Sequence, residues 1–155
     1  MGRSIFRQFV FFLALAYGFA FGQSSSLNGT WQMNPAKSDF GSGPVSESRV
    51  DRISIEGPNV KDTITQKLRR GPESTYDMNY ATDGSESENR VRGTLVKSTA
   101  KWDGATLVVD STVFAFRQEM MNDRWSVSAD GKTLTLIRHM TGPRRADQKI
   151  VFDKQ

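Results

Sequence analysis

The segment Thr75–Thr82 places Tyr76, Met78 and Tyr80 at every second position, with Asp77 and Asn79 between them. On a strand that spacing turns two phenols and a thioether to the same side. If that side is buried, both hydroxyls need hydrogen-bond partners, and a ligand hydroxyl or carboxylate could serve. The chemistry is recognition by an aromatic wall with a few polar anchors, not bond breaking. Arg138 shares a face with Leu134, Leu136 and Met140 on a later alternating segment. Facing inward, its guanidinium must be paired, by a protein carboxylate or by an anionic ligand head. At an exposed strand end it would reach water instead. Trp102 completes the candidate ligand-binding set. The competing reading of every large ring here, Trp31, Trp125 and Phe152 included, is a packed core.

Catalytic groupings are not found. The sequence has no G-x-S-x-G elbow, no phosphate-cradling loop with a lysine and no HExxH. His139 is the sole histidine and lies on the polar face with Thr133, Thr135 and Thr141. One imidazole without cysteine cannot build the usual zinc site, and a haem with His139 as sole axial ligand is a remote option. His139 reads as a surface residue. No catalytic residue, metal or cofactor is expected, and the chain reads as a non-enzyme; a hydrolase-type triad would have to use His139. Asp83, Glu86 and Glu88 read as a solvated hairpin tip. Lys67, Arg69, Arg70, Arg144 and Arg145 could form an anion-binding rim, but read as solvated loops.

The elements that must hold these residues are strands. Leu27–Asn34 (LNGTWQMN) alternates strictly, with Leu27, Gly29, Trp31 and Met33 on one side and polar residues on the other. Further β-type segments are expected at 49–56, 60–68, 75–82, 90–102, 106–116, 124–128, 132–141 and 148–153. Gly93 reads as a bulge or bend within 90–102, and a turn is expected near 121–123. Asp83-Gly84, Asp103-Gly104 and Asp130-Gly131 are hairpin signals, because type I′ turns need positive φ. Pro35–Glu47 is a long linker; Asn34 can cap one helical turn with Pro35 at its first position, and long loops in compact domains tend to be lids. Parallel crossovers are absent, so the chain reads as an all-β antiparallel meander. Closure into a barrel of about eight to ten strands removes exposed edges; a two-sheet sandwich is the alternative.

Residues 1–22 have the parts of a secretory signal: Arg3 and Arg7, an apolar run from Phe9 to Phe21, and small residues Ala20 and Gly22 before Gln23. The run falls short of the about 20 residues a membrane span needs. The expected organisation is a leader over 1–22 and one domain over 23–155, secreted or periplasmic. The leader holds two of the 21 basic residues and none of the 17 acidic ones, so the net charge falls from +4 to +2 on its removal. That balance lacks a nucleic-acid footprint. Without cysteine there is no disulfide, so the core alone must hold the fold. No transmembrane segment is expected after leader removal, and a monomer is the expected state.

The export signal, the Gly29-x-Trp31 pair, the long loop behind it and the Asp-Gly-punctuated meander together resemble small secreted bacterial lipocalin-like (calycin-type) domains, mostly of undescribed function. The pieces Lys101–Gly104 (KWDG) and Ser128–Leu134 (SADGKTL) add to the likeness, which spans residues 27–154. It implies a barrel in which Trp31 packs under the closed end beside an arginine from a late strand, a role open to Arg138, Arg144 or Arg145. The C-terminal helix of lipocalins has no counterpart in QKIVFD, which favours a looser barrel relative. The function expected is binding of a small apolar or amphipathic ligand inside the barrel, with the 35–47 loop over its mouth. The alternative is a filled barrel that binds a protein or an envelope component.

Overall fold

A computed structural model of the chain describes residues 24–143 and 145–155; the leader expected over 1–22 lies outside them, as does Arg144. The alternating segments form ten strands: β1 (Gly29–Met33), β2 (Ser46–Glu56), β3 (Asn59–Leu68), β4 (Glu73–Ala81), β5 (Glu86–Val91), β6 (Thr94–Asp103), β7 (Thr106–Phe114), β8 (Gln118–Val127), β9 (Thr133–Thr141) and β10 (Ala146–Lys154). All pairings are antiparallel, in one sheet ordered β4-β3-β2-β1-β10-β9-β8-β7-β6-β5. The sheet curls into a nearly closed barrel, so the sandwich alternative does not apply.

Closure occurs between the sheet edges β4 and β5. These two strands share no backbone ladder. The Asn89 side chain accepts from the Asn79 N–H at 2.7 Å and donates to its carbonyl at 2.9 Å, and Ser87 Oγ accepts from Ala81 N–H at 3.1 Å. Two polar side chains therefore satisfy edge groups that would otherwise be open. The Asp83-Gly84 turn joins these strands but does not fold them into the hairpin its dipeptide predicts.

Two further connections differ from the sequence reading. Arg92 and Gly93 both have positive φ (50° and 82°), which makes a two-residue hairpin turn between β5 and β6 in place of a bulge in one long strand. The turn expected at 121–123 lies instead at Ala115–Arg117, and β8 runs unbroken through Asp123.

Successive connections alternate between the barrel ends. One end is closed by the 3₁₀ turn Ser24–Leu27, which lies against both β2 and β8. Above it Trp31, Leu107, Leu134, Leu136 and Phe152 are fully buried. The Trp31 indole donates to the Leu27 carbonyl at 2.8 Å. Among the described residues the cation on Trp31 is Lys154, whose Nζ sits 5.0 Å from the ring centroid, and not Arg138 or Arg145; the third arginine proposed from the resemblance, Arg144, lies outside them. Gly29 explains the spacing of the pair. A Cβ there would come within 3.0 Å of Lys154 Cε, so glycine leaves the path by which the lysine stem reaches the indole.

The 35–47 linker is not a lid. Asn34 caps a 3₁₀ turn over Pro35–Lys37, and Asp39 then pairs with Lys149 of β10 through bonds of 2.7 and 2.8 Å. The buried Gln148 amide donates to the carbonyls of Phe40 and Pro44, both at 3.2 Å. The loop is thereby fastened along β10 toward the open end.

Candidate functional site: the open half of the barrel

The inward side chains divide the interior in two. The closed half is solid. The open half holds a cavity of about 330 Å³, lined by Ile64, Tyr76, Met78, Tyr80, Val96, Val113, Met121, Trp125, Arg49, Asp123 and Arg138, among others. Strand parity accounts for the set: Tyr76, Met78 and Tyr80 are alternate residues of β4, and Met121, Asp123 and Trp125 of β8. Of the candidates drawn from the sequence, Tyr76, Met78, Tyr80 and Arg138 meet at this cavity. Trp102 does not; it packs half-buried against the core near the β6–β7 turn at the other end. No residue of the 35–45 loop lines it.

Arg138 points inward with its side chain 20 % exposed, so the water-reaching alternative fails. Its Nε and Nη2 donate to the two oxygens of Asp123 at 2.8 and 2.6 Å, a bidentate pair across β8 and β9. A second pair lies on β2. Arg49 Nε and Nη2 donate to Asp51 at 2.7 and 2.8 Å, and the two side chains are 2 % and 0 % exposed. The Arg49 guanidinium covers the Trp125 and Phe152 rings at 5.7 and 5.5 Å, and those rings are themselves stacked at 6.5 Å. Arg49 and Trp125 thus form the cavity floor, above the packed half. Burial alone would weaken the charge on Arg49; the Asp51 carboxylate outweighs it and holds the guanidinium pKa above its ordinary value. Arg138 is raised for the same reason, with Asp123 opposing burial.

Tyr76 donates to Gln66 Oε1 at 3.1 Å, and Gln66 in turn donates to Ser46 Oγ at 2.5 Å, so one of the two phenols has a protein partner. Burial pushes both phenols upward in pKa, which keeps them protonated donors.

Asp62 is the exception to this pairing. It faces inward between Val60 and Ile64, is 2 % exposed, and neither carboxyl oxygen has a hydrogen-bond partner among the described residues. Burial, and then the nearby Asp51 carboxylate, push its pKa well above the usual carboxylate range, against the pull of Arg49. A raised acid binds its proton more tightly folded than unfolded. Stability therefore falls as pH rises above the unfolded value of about 4. Asp62→Asn removes that titration. Urea unfolding should show the variant gaining at least about 1 kcal/mol on the parent between pH 4.5 and 7.5; a constant difference across that range would show Asp62 ionised in the fold.

His139 lies on the outer face, exposed and paired through Nδ1 with Asp147. No three His, Cys, Asp or Glu side chains converge as a metal site among the described residues. No helix among them is long and apolar enough to cross a membrane.

No family model and no curated protein matches the sequence. Solved structures do match the fold. A secretory abundant heat soluble protein from Ramazzottius varieornatus aligns with a TM-score of 0.65 at 16 % identity, covering 84 % of this chain and 96 % of the other. A fatty acid transporter, REP1-NXSQ, aligns at 0.59 with 15 % identity, covering 84 % and 97 %. Zebrafish ileal bile acid-binding protein, in complex with cholic acid, aligns at 0.55 with 15 % identity, covering 84 % and 98 %. The fold is that of the calycin-type β-barrels.

Proposed function

We propose that this chain is a non-catalytic binding protein that holds a small apolar or amphipathic ligand in the open half of its barrel, against Tyr76, Met78 and Tyr80. The observation that carries the reading is the cavity of about 330 Å³, walled by aromatic and aliphatic side chains above a packed floor. That volume lies at the lower end of the about 300–1,000 Å³ of small-molecule sites. Each methylene buried there contributes about 0.8 kcal/mol. The shared fold of a fatty acid transporter and a bile acid-binding protein supports a lipid-class ligand. Trp102 serves the core in this reading, and Arg138 shapes the wall. The sequence pattern of residues 1–22 supports export, with the domain from Gln23 working as a monomer in a secreted or periplasmic location.

The test is to fill the cavity. Val113 lines it from β7 and is half-buried. Val113→Trp should lower the affinity for the neutral dye Nile red at least tenfold while leaving the thermal midpoint within a few degrees. Equal binding by both proteins would place the dye outside the barrel. It would favour the second reading, a protein- or envelope-binding surface, for which Phe114, Phe116 and Met120 offer exposed apolar groups near the β7–β8 turn.

A further inference from the structure

We propose that the cavity selects ligands whose buried end is uncharged: an alcohol, amide or ester oxygen that accepts a hydrogen bond, and not a carboxylate. The inference rests on the binding function proposed above and narrows it to a ligand class.

Two guanidiniums face the interior, and both are already neutralised. Arg49 spends its Nε and Nη2 on Asp51, and Arg138 spends the same two atoms on Asp123. A third carboxyl, Asp62, lies behind them on β3. Among the inward charges below the mouth, two cations face three carboxyl groups, so this part of the interior is neutral or negative whatever the protonation of Asp62. Arg92 and Glu119 lie at the mouth, where the exposed Arg92 guanidinium is bonded to Ser74 Oγ at 3.1 and 2.7 Å. A carboxylate entering below the mouth loses its hydration and meets no spare cation. To reach Arg138 it must displace Asp123 from a bidentate contact and leave that carboxylate stranded.

What the cavity does offer is a neutral hydrogen-bonding group. The Tyr80 phenol lines the wall, whereas that of Tyr76 is already bonded to Gln66. An ammonium fares no better than a carboxylate, because Asp51 and Asp123 are each held by an arginine and both Asp62 oxygens are buried away from the cavity. An uncharged oxygen can accept from the Tyr80 hydroxyl without disturbing either ion pair, and its alkyl tail lies along Met78, Val96 and Val113.

The experiment is displacement of Nile red from the purified protein at pH 7.5 by four ten-carbon amphiphiles: decanol, decanamide, decanoate and decylammonium. The neutral pair should displace the dye at concentrations at least tenfold lower than either ion. In Asp123→Asn, where Arg138 loses its counter-charge, decanoate should gain at least fivefold relative to decanol. The parent panel decides the matter even if that variant does not fold. Decanoate or decylammonium binding the parent as tightly as decanol overturns the inference and leaves the binding function standing. Displacement by none of the four overturns both.

Discussion

Replacing Asp51 with alanine should destabilise the protein by about 3–5 kcal/mol, because it strands a guanidinium that cannot reach water. Arg49 is 2 % exposed, and its only carboxylate contact within salt-bridge range among the described residues is Asp51. It cannot swing outward without leaving the Trp125 and Phe152 faces it covers. Set against the about 5–15 kcal/mol that holds a typical domain, the loss is a large part of the whole. The signature that separates an ion pair from simple packing is non-additivity. Arg49→Met should also destabilise, whereas combining it with Asp51→Val should recover most of the loss, since a desolvated pair is near break-even with apolar side chains of similar volume. Urea unfolding of the two single variants and the double variant measures this. Additive losses would mean that the pair is not energetically coupled.

Trp31→Ala should cost about 3–5 kcal/mol through a different cause, the void left by a large buried ring. The indole is fully buried at the centre of the closed half, against a 3₁₀ turn whose Leu27 carbonyl it bonds. Its loss removes three things together: packing, the anchor of the turn that closes the barrel, and the surface on which Lys154 rests. Trp102→Ala, at a half-buried ring on the periphery of the same core, should cost markedly less. The comparison is read from denaturation midpoints. Equal losses at the two tryptophans would contradict the placement of Trp31 at the centre of the closed-half core and of Trp102 at its periphery.

Much of this architecture is legible in period-two patterning. The alternation of β1, β4 and β9 orients Trp31, the Tyr76–Met78–Tyr80 row and Arg138 correctly, because a strand with one buried face leaves no freedom of register. The same rule run backward from Ile53 and Ile55 puts Asp51 and Arg49 inward, yet two charged residues argue locally for a wet face, and their mutual pairing is what reverses that argument. Asp123 was hidden for another reason. Met121–Asp123 reads as a turn on its own, and only pairing with β7 and β9 shows that the strand continues. The Arg92-Gly93 turn lacks the Asn or Asp that usually marks such a hairpin, so glycine alone suggests a bulge. The β4–β5 seam and the fastening of the 35–47 loop depend on single side chains, Asn89 and Gln148, whose partners lie on other strands or loops and follow no local pattern.

The central claim is that the open half of the barrel carries a ligand. Native mass spectrometry of the protein, purified from its own host without detergent and compared with Val113→Trp prepared in the same way, tests it most directly. A discrete extra mass on the parent, lost on denaturation and absent from the variant, is the expected result; its composition would also reveal whether the ligand is uncharged. A bare protein mass for the parent, with no change in tryptophan fluorescence on adding decanol or decanoate, would contradict the claim.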